Sequence, residues 1–538
     1  MMPPRAEAWA RLSEPWDLVI VGGGITGAGL LFEAARLGFR ALLLEGRDFA
    51  WGTSSRSGKM VHGGLRYLRQ GQFRTTWHSV REREALLRLW PGLVRPLGFL
   101  MPLYRAEPPG RPAAALGLWL YDLFAGHPTH RYLDPERLLE QSPHLRREGL
   151  QGGYAYPEAL TDDARLVLAL IQEALRLGAG ALNYARVEGL RQTRAGHVEG
   201  VMVRDVLTGR EAEVGARVVI NATGPWADGL RGQLGRPPRL RLLRGSHLIF
   251  PGWRLPLAQG LIMIHPVDGR PLYALPWEGV TLVGTTDVDH DQDLEEEPAA
   301  APAEVDYLLT ALRRAFPFLD LTEADLQATF AGVRAVIGTG RQPPSREPRD
   351  HAVWDEGILT VTGGKLTTFR VMARDALGRI RRRLPAPRPP ARPALAPPEI
   401  RRDLDPRLLR RLWSRYGPMA DTVLQAAPAE DLAFIPGTPV LWAEVRWAAG
   451  HEAVVHLDDL MLRRTRLGVL LPQGGIPWLR RHGDRLQSML GWDEARWLTE
   501  LECYQEIWRR AWQPPAPGGP QTPAPRARTR ADLMRGLG

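Results

Sequence analysis

The sequence predicts an α/β protein in three parts: a nucleotide-binding domain assembled from separated segments, an inserted antiparallel-sheet domain, and a C-terminal all-helical domain. Three observations carry this reading. Asp17 to Val21, Ile25 to Leu37 and Arg40 to Leu44 read as strand, helix and strand, a βαβ unit joined by a Gly-rich turn. Arg217 to Ile220 and Ile358 to Val361 are two further short apolar strands that each run into a Gly-containing turn. The alternating runs His247 to Phe250, Pro271 to Leu275 and Val280 to Val283 lie between them. Past the Pro-rich stretch Leu384 to Pro398, the spacing of Leu, Trp and Val over Arg407 to Arg415 and Val440 to Leu467 is helical.

Composition narrows the function classes. With 538 residues, 44% hydrophobic and 24% charged, the chain can bury a full core. The single cysteine, Cys503, excludes a disulfide framework and any cysteine-based zinc or iron–sulfur site. No apolar run reaches the about 20 residues of a transmembrane helix. The apolar stretch around Leu116 to Phe124 is interrupted by Asp122. The N-terminus lacks a signal-type apolar core, so a cytoplasmic protein is expected. The net charge of +10 fits a phosphorylated substrate, anionic lipid or nucleic acid. Its scatter, and the lack of a nucleic-acid motif, set nucleic acid aside. Of the 70 basic residues only Lys59 and Lys365 are lysines. A compact ammonium kept in an arginine-saturated chain marks both positions for inspection.

The first turn, Gly22-Gly23-Gly24-Ile25-Thr26-Gly27, is a dinucleotide fingerprint. Gly22 makes the tight turn, Gly24 lets backbone approach a pyrophosphate, and Gly27 lets helix and strand pack closely. The helix N-terminus favours the phosphate charge. Glu45, at the end of the second strand, can accept bonds from ribose hydroxyls and would repel a 2′-phosphate. This Rossmann-like unit suits NAD or FAD. Thr362-Gly363-Gly364-Lys365-Leu366-Thr367 is a second Gly-rich strand-to-helix turn, which a flavin could use against its pyrimidine carbonyls and an NAD site does not need. Thr53 to Lys59 with His62 to Tyr67, and Asn221 to Trp226, are loops with residues suited to a cofactor or an anion. No metal site is expected: His451 and His456 are spaced so that they do not share a helical face. Asp162-Asp163 and Asp458-Asp459 read as helix-end or surface acids rather than a catalytic pair.

The segments VIVGGGITGAGL, TSSRSGKMVHGGLRYL, TDDARLVLA, NATGPW, RGSH, LVGTTDV, GVRAV and VTGGKLTTFR occur in the order found in the FAD-dependent glycerol-3-phosphate dehydrogenases, which the chain closely resembles from Asp17 to about Leu470. LMLRRTRLG near Leu460 resembles that family's C-terminal helical domain. The resemblance implies oxidation of sn-glycerol 3-phosphate to dihydroxyacetone phosphate, with electrons passing through FAD to a membrane quinone. It implies an FAD-binding domain over 15–90, 150–235 and 350–384, and a substrate domain over 91–149 and 236–349. A linker over 385–399, a helical domain over 400–512 and a disordered tail over 513–538 complete the expected division. Gly22, Gly24, Ile25, Thr26, Gly27 and Glu45 would bind the ADP half of FAD. Thr53, Ser54, Lys59, His62, Gly63, Val187, Gly224, Gly364, Lys365, Leu366 and Thr367 would surround the rest. Arg66, Tyr67, His247, Arg334, Arg349 and Lys365 would form the substrate site, with His247, Arg334, Lys365 and Arg66 catalytic.

A histidine titrates near working pH, so His247 is the candidate base for the substrate hydroxyl. Leu366 to Leu384 sets an apolar stripe (Leu366, Phe369, Ala373, Leu377, Ile380) against basic Arg370, Arg374, Arg379 and Arg381 to Arg383. It is either a helix lying on anionic lipid or a body helix with a solvated arginine face. A quinone-reducing enzyme needs membrane contact, so peripheral attachment to the inner face of the cell membrane is expected. Two relatives of the same flavin fold stay open: a glycerol-3-phosphate oxidase that releases hydrogen peroxide, and an amine or amino-acid oxidoreductase. A homodimer is also left open.

Overall fold

The computed structural model describes residues 1–538 apart from 70, 106, 339–346, 348, 349, 388–403 and 517–538, and apart from the side chains of Arg66 and Arg69. The expected linker and tail therefore lie almost wholly outside the described residues, and Arg349 lies outside them too.

The predicted βαβ unit forms from Trp16–Val21, Ile25–Arg36 and Ala41–Leu44. Trp16–Val21 sits between two parallel partners, Ala41–Leu44 and Glu211–Asn221. Gly180–Leu182 extends the sheet on one side, and Leu359–Gly363 followed by antiparallel His351–Asp355 extends it on the other. Leu18, Val19 and Ile20 are all buried, which explains why the strand is apolar without alternation: both faces are covered. Helices Ile25–Arg36, Asp163–Arg176 and Phe369–Arg379 cover one face. A Cβ on Gly29 would lie 2.5 Å from the Phe369 ring, so this glycine lets two of those helices touch. The other face carries Trp9, Leu12 and the ribbon of Ala185–Gln192 and Val198–Asp205. The register pairs Val21 with both Leu44 and Asn221, and Asn221 with Thr360. Turns that leave these strands consequently gather at one edge, where ligands of such sheets bind.

The second sheet is antiparallel except at one join, where Gly260–Ile264 runs parallel to Val94–Tyr104. Its long strand Leu240–Pro251 pairs with Val280–Gly284 and with Ala328–Ile337. Pro271–Trp277, Gly260–Ile264, Val94–Tyr104, Leu150–Thr161 and Met60–Val61 follow in spatial order. The three alternating runs read from sequence all lie in its strands.

The C-terminal part is helical. Pro406–Tyr416 contains the first predicted helix. The second predicted run is broken: Trp442–His451 ends, and the chain re-forms as a wide turn over Asp459–Arg464. Buried arginines explain the break. Arg463 and Arg464 meet Asp48, with Arg464 Nη2 at 2.6 Å from Oδ1. Arg466, at φ +66°, reaches Asp162 at 2.8 Å and also pairs with Asp163. Asp162 caps helix Asp163–Arg176 by accepting from the Arg165 N–H. The two aspartate pairs are thus helix-end acids as expected, but they are buried rather than on the surface.

The Leu366–Leu384 alternative resolves towards the body. Phe369, Ala373, Leu377 and Ile380 are buried in the core of the first sheet, Arg370 pairs with Glu33 and Glu82, and Arg374 pairs with Glu82. The apolar stripe is consumed by packing, so this helix has none to offer lipid.

Replacing Asp48 by Ala leaves Arg464 without its carboxylate and Arg463 with fewer. Leaving a buried charge unpaired should cost about 3–5 kcal/mol in denaturant unfolding. A cost below about 1 kcal/mol would show that the arginines hold no such weight.

Candidate functional site

The strand edge opens into a cavity of about 580 Å³ that also touches the second sheet. At one end is the fingerprint turn. Gly22 adopts φ +111°, and a Cβ there would lie 2.6 Å from the Ala222 carbonyl oxygen. A Cβ on Gly27 would lie 1.8 Å from the Gly22 oxygen, so Gly27 is a packing residue behind the turn and not a wall of the cavity. Gly22, Gly24, Ile25 and Thr26 do line the cavity, and the Ser54 hydroxyl accepts from the Ile25 N–H at 2.9 Å. Glu45 also lines it, accepting from the N–H groups of Gly23 at 2.6 Å and Arg47 at 2.7 Å. Burial raises its pKa. An acceptor fixed beside a bare Gly turn is what a nucleotide ribose requires.

Val187, Gly224 and the second Gly turn continue the wall. Gly363 and Gly364 have φ +74° and +70°, and a Cβ on Gly363 would lie 2.8 Å from the Asp350 oxygen. A short turn, Leu366–Thr368, precedes the helix Phe369–Arg379. Thr367 accepts from the His62 N–H at 3.2 Å, joining this turn to the His62 loop. Thr53, Ser54, His62, Tyr67, Gly364, Lys365, Leu366 and Thr367 are all on the cavity wall. The Lys365 ammonium lies 3.6 Å from the centre of the Tyr67 ring and donates to Ser79 Oγ at 3.2 Å.

The second sheet supplies the floor. His247 and Arg334 project from adjacent strands, whose register pairs Leu243 with Arg334 and His247 with Phe330. The His247 ring stacks on Phe330 at 4.7 Å between centroids. Its Nδ1 is sealed and has no hydrogen-bond partner among the described residues, which leaves Nε2 as the nitrogen open to the cavity. Burial first, then the charges of Arg334 and Lys59, hold its pKa well below the usual histidine value. The imidazole is therefore neutral at neutral pH. Arg334 donates to Thr285 Oγ1 at 2.8 Å and pairs with Asp287 at 3.1 Å, while Arg270 approaches the other oxygen of Asp287 at 3.4 Å.

Among the described residues, three sequence-predicted positions do not reach the wall: Gly27, Lys59 and Gly63. The Lys59 ammonium turns inward to Asp163 at 2.8 Å and the Ser55 oxygen at 2.7 Å, and burial pushes its pKa down to about 8. Gly63 donates its N–H to the Tyr121 hydroxyl at 2.8 Å, and a Cβ there would strike that ring. Arg66 lies in helix Leu65–Arg69 but its side chain is outside the described set. Arg270, Tyr273, Thr285 and Asp287 line the cavity without having been singled out from sequence. The GTTDV stretch was the available signal for Thr285 and Asp287; Arg270, in a hairpin turn, gave none.

The residues present fit a flavin dinucleotide: a Gly turn and helix N-terminus for the pyrophosphate, Glu45 for the ribose, and a second Gly turn at the far end. Comparison with known proteins agrees. A family model described as FAD dependent oxidoreductase matches residues 17–375, and one described as the C-terminal domain of alpha-glycerophosphate oxidase matches residues 366–497. Glycerol-3-phosphate dehydrogenase 2 of Mycobacterium bovis is 35% identical over 529 residues, covering 93% of this chain and 89% of that one. The aerobic glycerol-3-phosphate dehydrogenase of Staphylococcus aureus is 38% identical over 379 residues, covering 69% and 68%. The crystal structure of glycerol-3-phosphate dehydrogenase from Bacillus halodurans, complexed with FAD, superposes with a TM-score of 0.74 at 28% identity, covering 94% of this chain and 97% of that one. With its cofactor FAD, the chain belongs to the family of FAD-dependent glycerol-3-phosphate dehydrogenases.

Proposed function

We propose that the protein oxidises sn-glycerol 3-phosphate to dihydroxyacetone phosphate, with FAD as hydride acceptor, and passes the electrons to a membrane quinone from the cytoplasmic face. The observation that carries the reading is a buried imidazole, His247, in the same cavity as the Arg334 guanidinium and both Gly turns. The relatives' names support the substrate. Bound FAD supplies the acceptor for the hydride leaving C2. His247 Nε2 takes the hydroxyl proton, and its pKa keeps that nitrogen free to do so. Arg334 offers planar, charge-assisted bonds to phosphate or to the developing alkoxide, with Thr285 and Asp287 fixing its plane. Lys365 holds a point charge against the substrate oxygen or the flavin. Tyr67, Arg66 and Arg349 complete the proposed substrate set. Gly63 and Lys59 support the flavin loop from behind.

The test is product analysis: purified holoenzyme, sn-glycerol 3-phosphate and a soluble quinone analogue should give dihydroxyacetone phosphate and reduced quinone in equal amounts. No turnover, or turnover of glycine or sarcosine instead, would contradict the reading. The C-terminal match to an oxidase domain favours oxygen as the second acceptor to examine. Stoichiometric hydrogen peroxide in air would assign it.

Replacing His247 by Ala should lower turnover roughly 10²- to 10⁴-fold while FAD stays bound; unchanged turnover rules it out as base. Because the imidazole is held below its ordinary value, the neutral form survives into mild acid. The acid limb of kcat/KM, corrected for substrate ionisation, should therefore fall below about pH 6.5. A limb above that value, abolished in the variant, would contradict the geometry. Lys365→Arg keeps the charge but puts a planar fork where a Cβ on Gly64 would already lie 3.2 Å from the ammonium. Turnover should fall about 10- to 100-fold, and wild-type rates would show that the compact ammonium is not needed.

A further inference from the structure

A strap from the second sheet's side closes one end of the cavity. The segment 291–300 forms neither helix nor strand, and both of its roots are fixed. The His290 N–H donates to the Leu242 carbonyl at 2.9 Å, and Glu304 of helix Pro302–Ala315 accepts from the Ala301 N–H at 3.1 Å. Between these roots the strap crosses to the first sheet's body. The Glu295 N–H donates to Asp293 Oδ1 at 2.9 Å, which shapes the turn. Arg47 donates to Glu295 twice, at 2.7 Å to its carbonyl and 2.8 Å to Oε2, and Arg186 donates to the same Oε2 at 3.2 Å. Two residues on, Glu297 accepts from Trp51 Nε1 at 3.0 Å and pairs with Arg56. The Arg47 guanidinium lies 3.8 Å from the centre of the Trp51 ring, and Trp51 tilts against Trp226 at 5.9 Å. Arg47, Trp51, Arg186, Trp226 and Glu295 all line the cavity.

These contacts sit at the nucleoside end. Arg47 gives its backbone N–H to Glu45 at 2.7 Å, and a Cβ on Gly46 would lie 3.5 Å from the Arg186 Cβ. The other end, with Lys365, His247 and Arg334, is walled by both sheets. The two anchors of the strap differ in kind. The side chains of Arg56 and Glu297 are 2% and 14% exposed, whereas those of Arg186 and Glu295 are 45% and 51% exposed. A half-exposed ion pair is weak and is screened by salt, and a buried one is screened much less. The strap therefore opens most readily at Glu295 and stays tethered at Glu297. Asp287 also answers two wall arginines, but it is buried and offers no such opening. We propose that Glu295 is a cofactor-retaining residue: its pairs with Arg47 and Arg186 latch the strap over the adenosine end of bound FAD, and their release is the step that lets FAD enter or leave. The latch concerns FAD alone and is independent of the substrate and of the electron acceptor.

The experiment follows FAD release from the purified full-chain holoenzyme, read as the rise in flavin fluorescence after dilution, at low and at high sodium chloride. Wild-type release should be slow at low salt and several-fold faster at about 1 M, where charges are screened within about 3 Å. Glu295→Gln should release FAD about three- to tenfold faster at low salt and lose most of the salt response. In a background of Arg47→Gln with Arg186→Gln, the same change should add less than about twofold, because its partners are already gone. Glu213→Gln removes an exposed carboxylate that lies 3.8 Å from Arg191 and off the cavity wall, and it should match wild type at both salts. Release from Glu295→Gln at the wild-type rate, with the wild-type salt response, overturns the proposal. An acceleration that persists undiminished without the two arginines also overturns it, since Glu295 would then act through the general stability of the fold and not through the latch.

Discussion

Three buried carboxylates, Asp48, Asp162 and Asp163, hold the structure together. Each comes from the first sheet's body, and each is answered by cations from distant segments: Arg463 and Arg464 for Asp48, Arg466 and Arg415 for Asp162, and Lys59 and Arg466 for Asp163. Removing such charges from water is costly unless every one is paired. The C-terminal helical part is consequently bound to the flavin-binding body, since it supplies the arginines that pair with these acids among the described residues. The consequence extends to the site. Lys59 and Arg466 both donate to the Ser55 carbonyl, at 2.7 Å and 3.2 Å, and so fix the loop whose Ser54 hydroxyl caps the fingerprint helix.

The same network reaches the proposed base. The Lys59 ammonium lies 5.1 Å from the centre of the Phe330 ring, and Phe330 stacks on His247. Trp512 packs on Phe330 at 5.6 Å, and its carbonyl accepts from Thr329 at 2.8 Å. His247 is thus backed by a wall to which Trp512, the C-cap of helix Glu494–Ala511, contributes. Burial and two nearby cations keep its imidazole neutral. In the proposed reaction a neutral base beside Arg334 suits an anionic substrate: the guanidinium that helps keep the base unprotonated would also attract the phosphate.

Features set by short stretches of chain were legible in the sequence. The fingerprint turn, Glu45 and the second Gly turn are local patterns whose glycines are required by contacts within or beside the turn, as the 1.8 Å approach at Gly27 shows. The short apolar strands and alternating runs read correctly because their period follows from which faces are covered. Features set by partners far along the chain were not legible. Nothing near Lys59 in sequence announces Asp163, so its inward turn could not be read. The stripe from Leu366 to Ile380 has the same periodicity whether it meets lipid or a sheet; Glu33 and Glu82, which neutralise Arg370, decide the matter from the other end of the body. Arg270 and Asp287 reach the cavity only through hairpin pairing in the second sheet. The two lysines differ in the same way: Lys365 stands at the cavity and Lys59 behind it.

The central claim is that a neutral His247 and the FAD cavity act on one phosphorylated alcohol. Its most direct measurement is the visible spectrum of the purified holoenzyme, without oxygen, before and after adding sn-glycerol 3-phosphate. The account predicts that the flavin band bleaches with this substrate, bleaches far more slowly in His247→Ala, and is unaffected by glycerol. A band that persists in the wild type, or bleaches equally fast without His247, would contradict it.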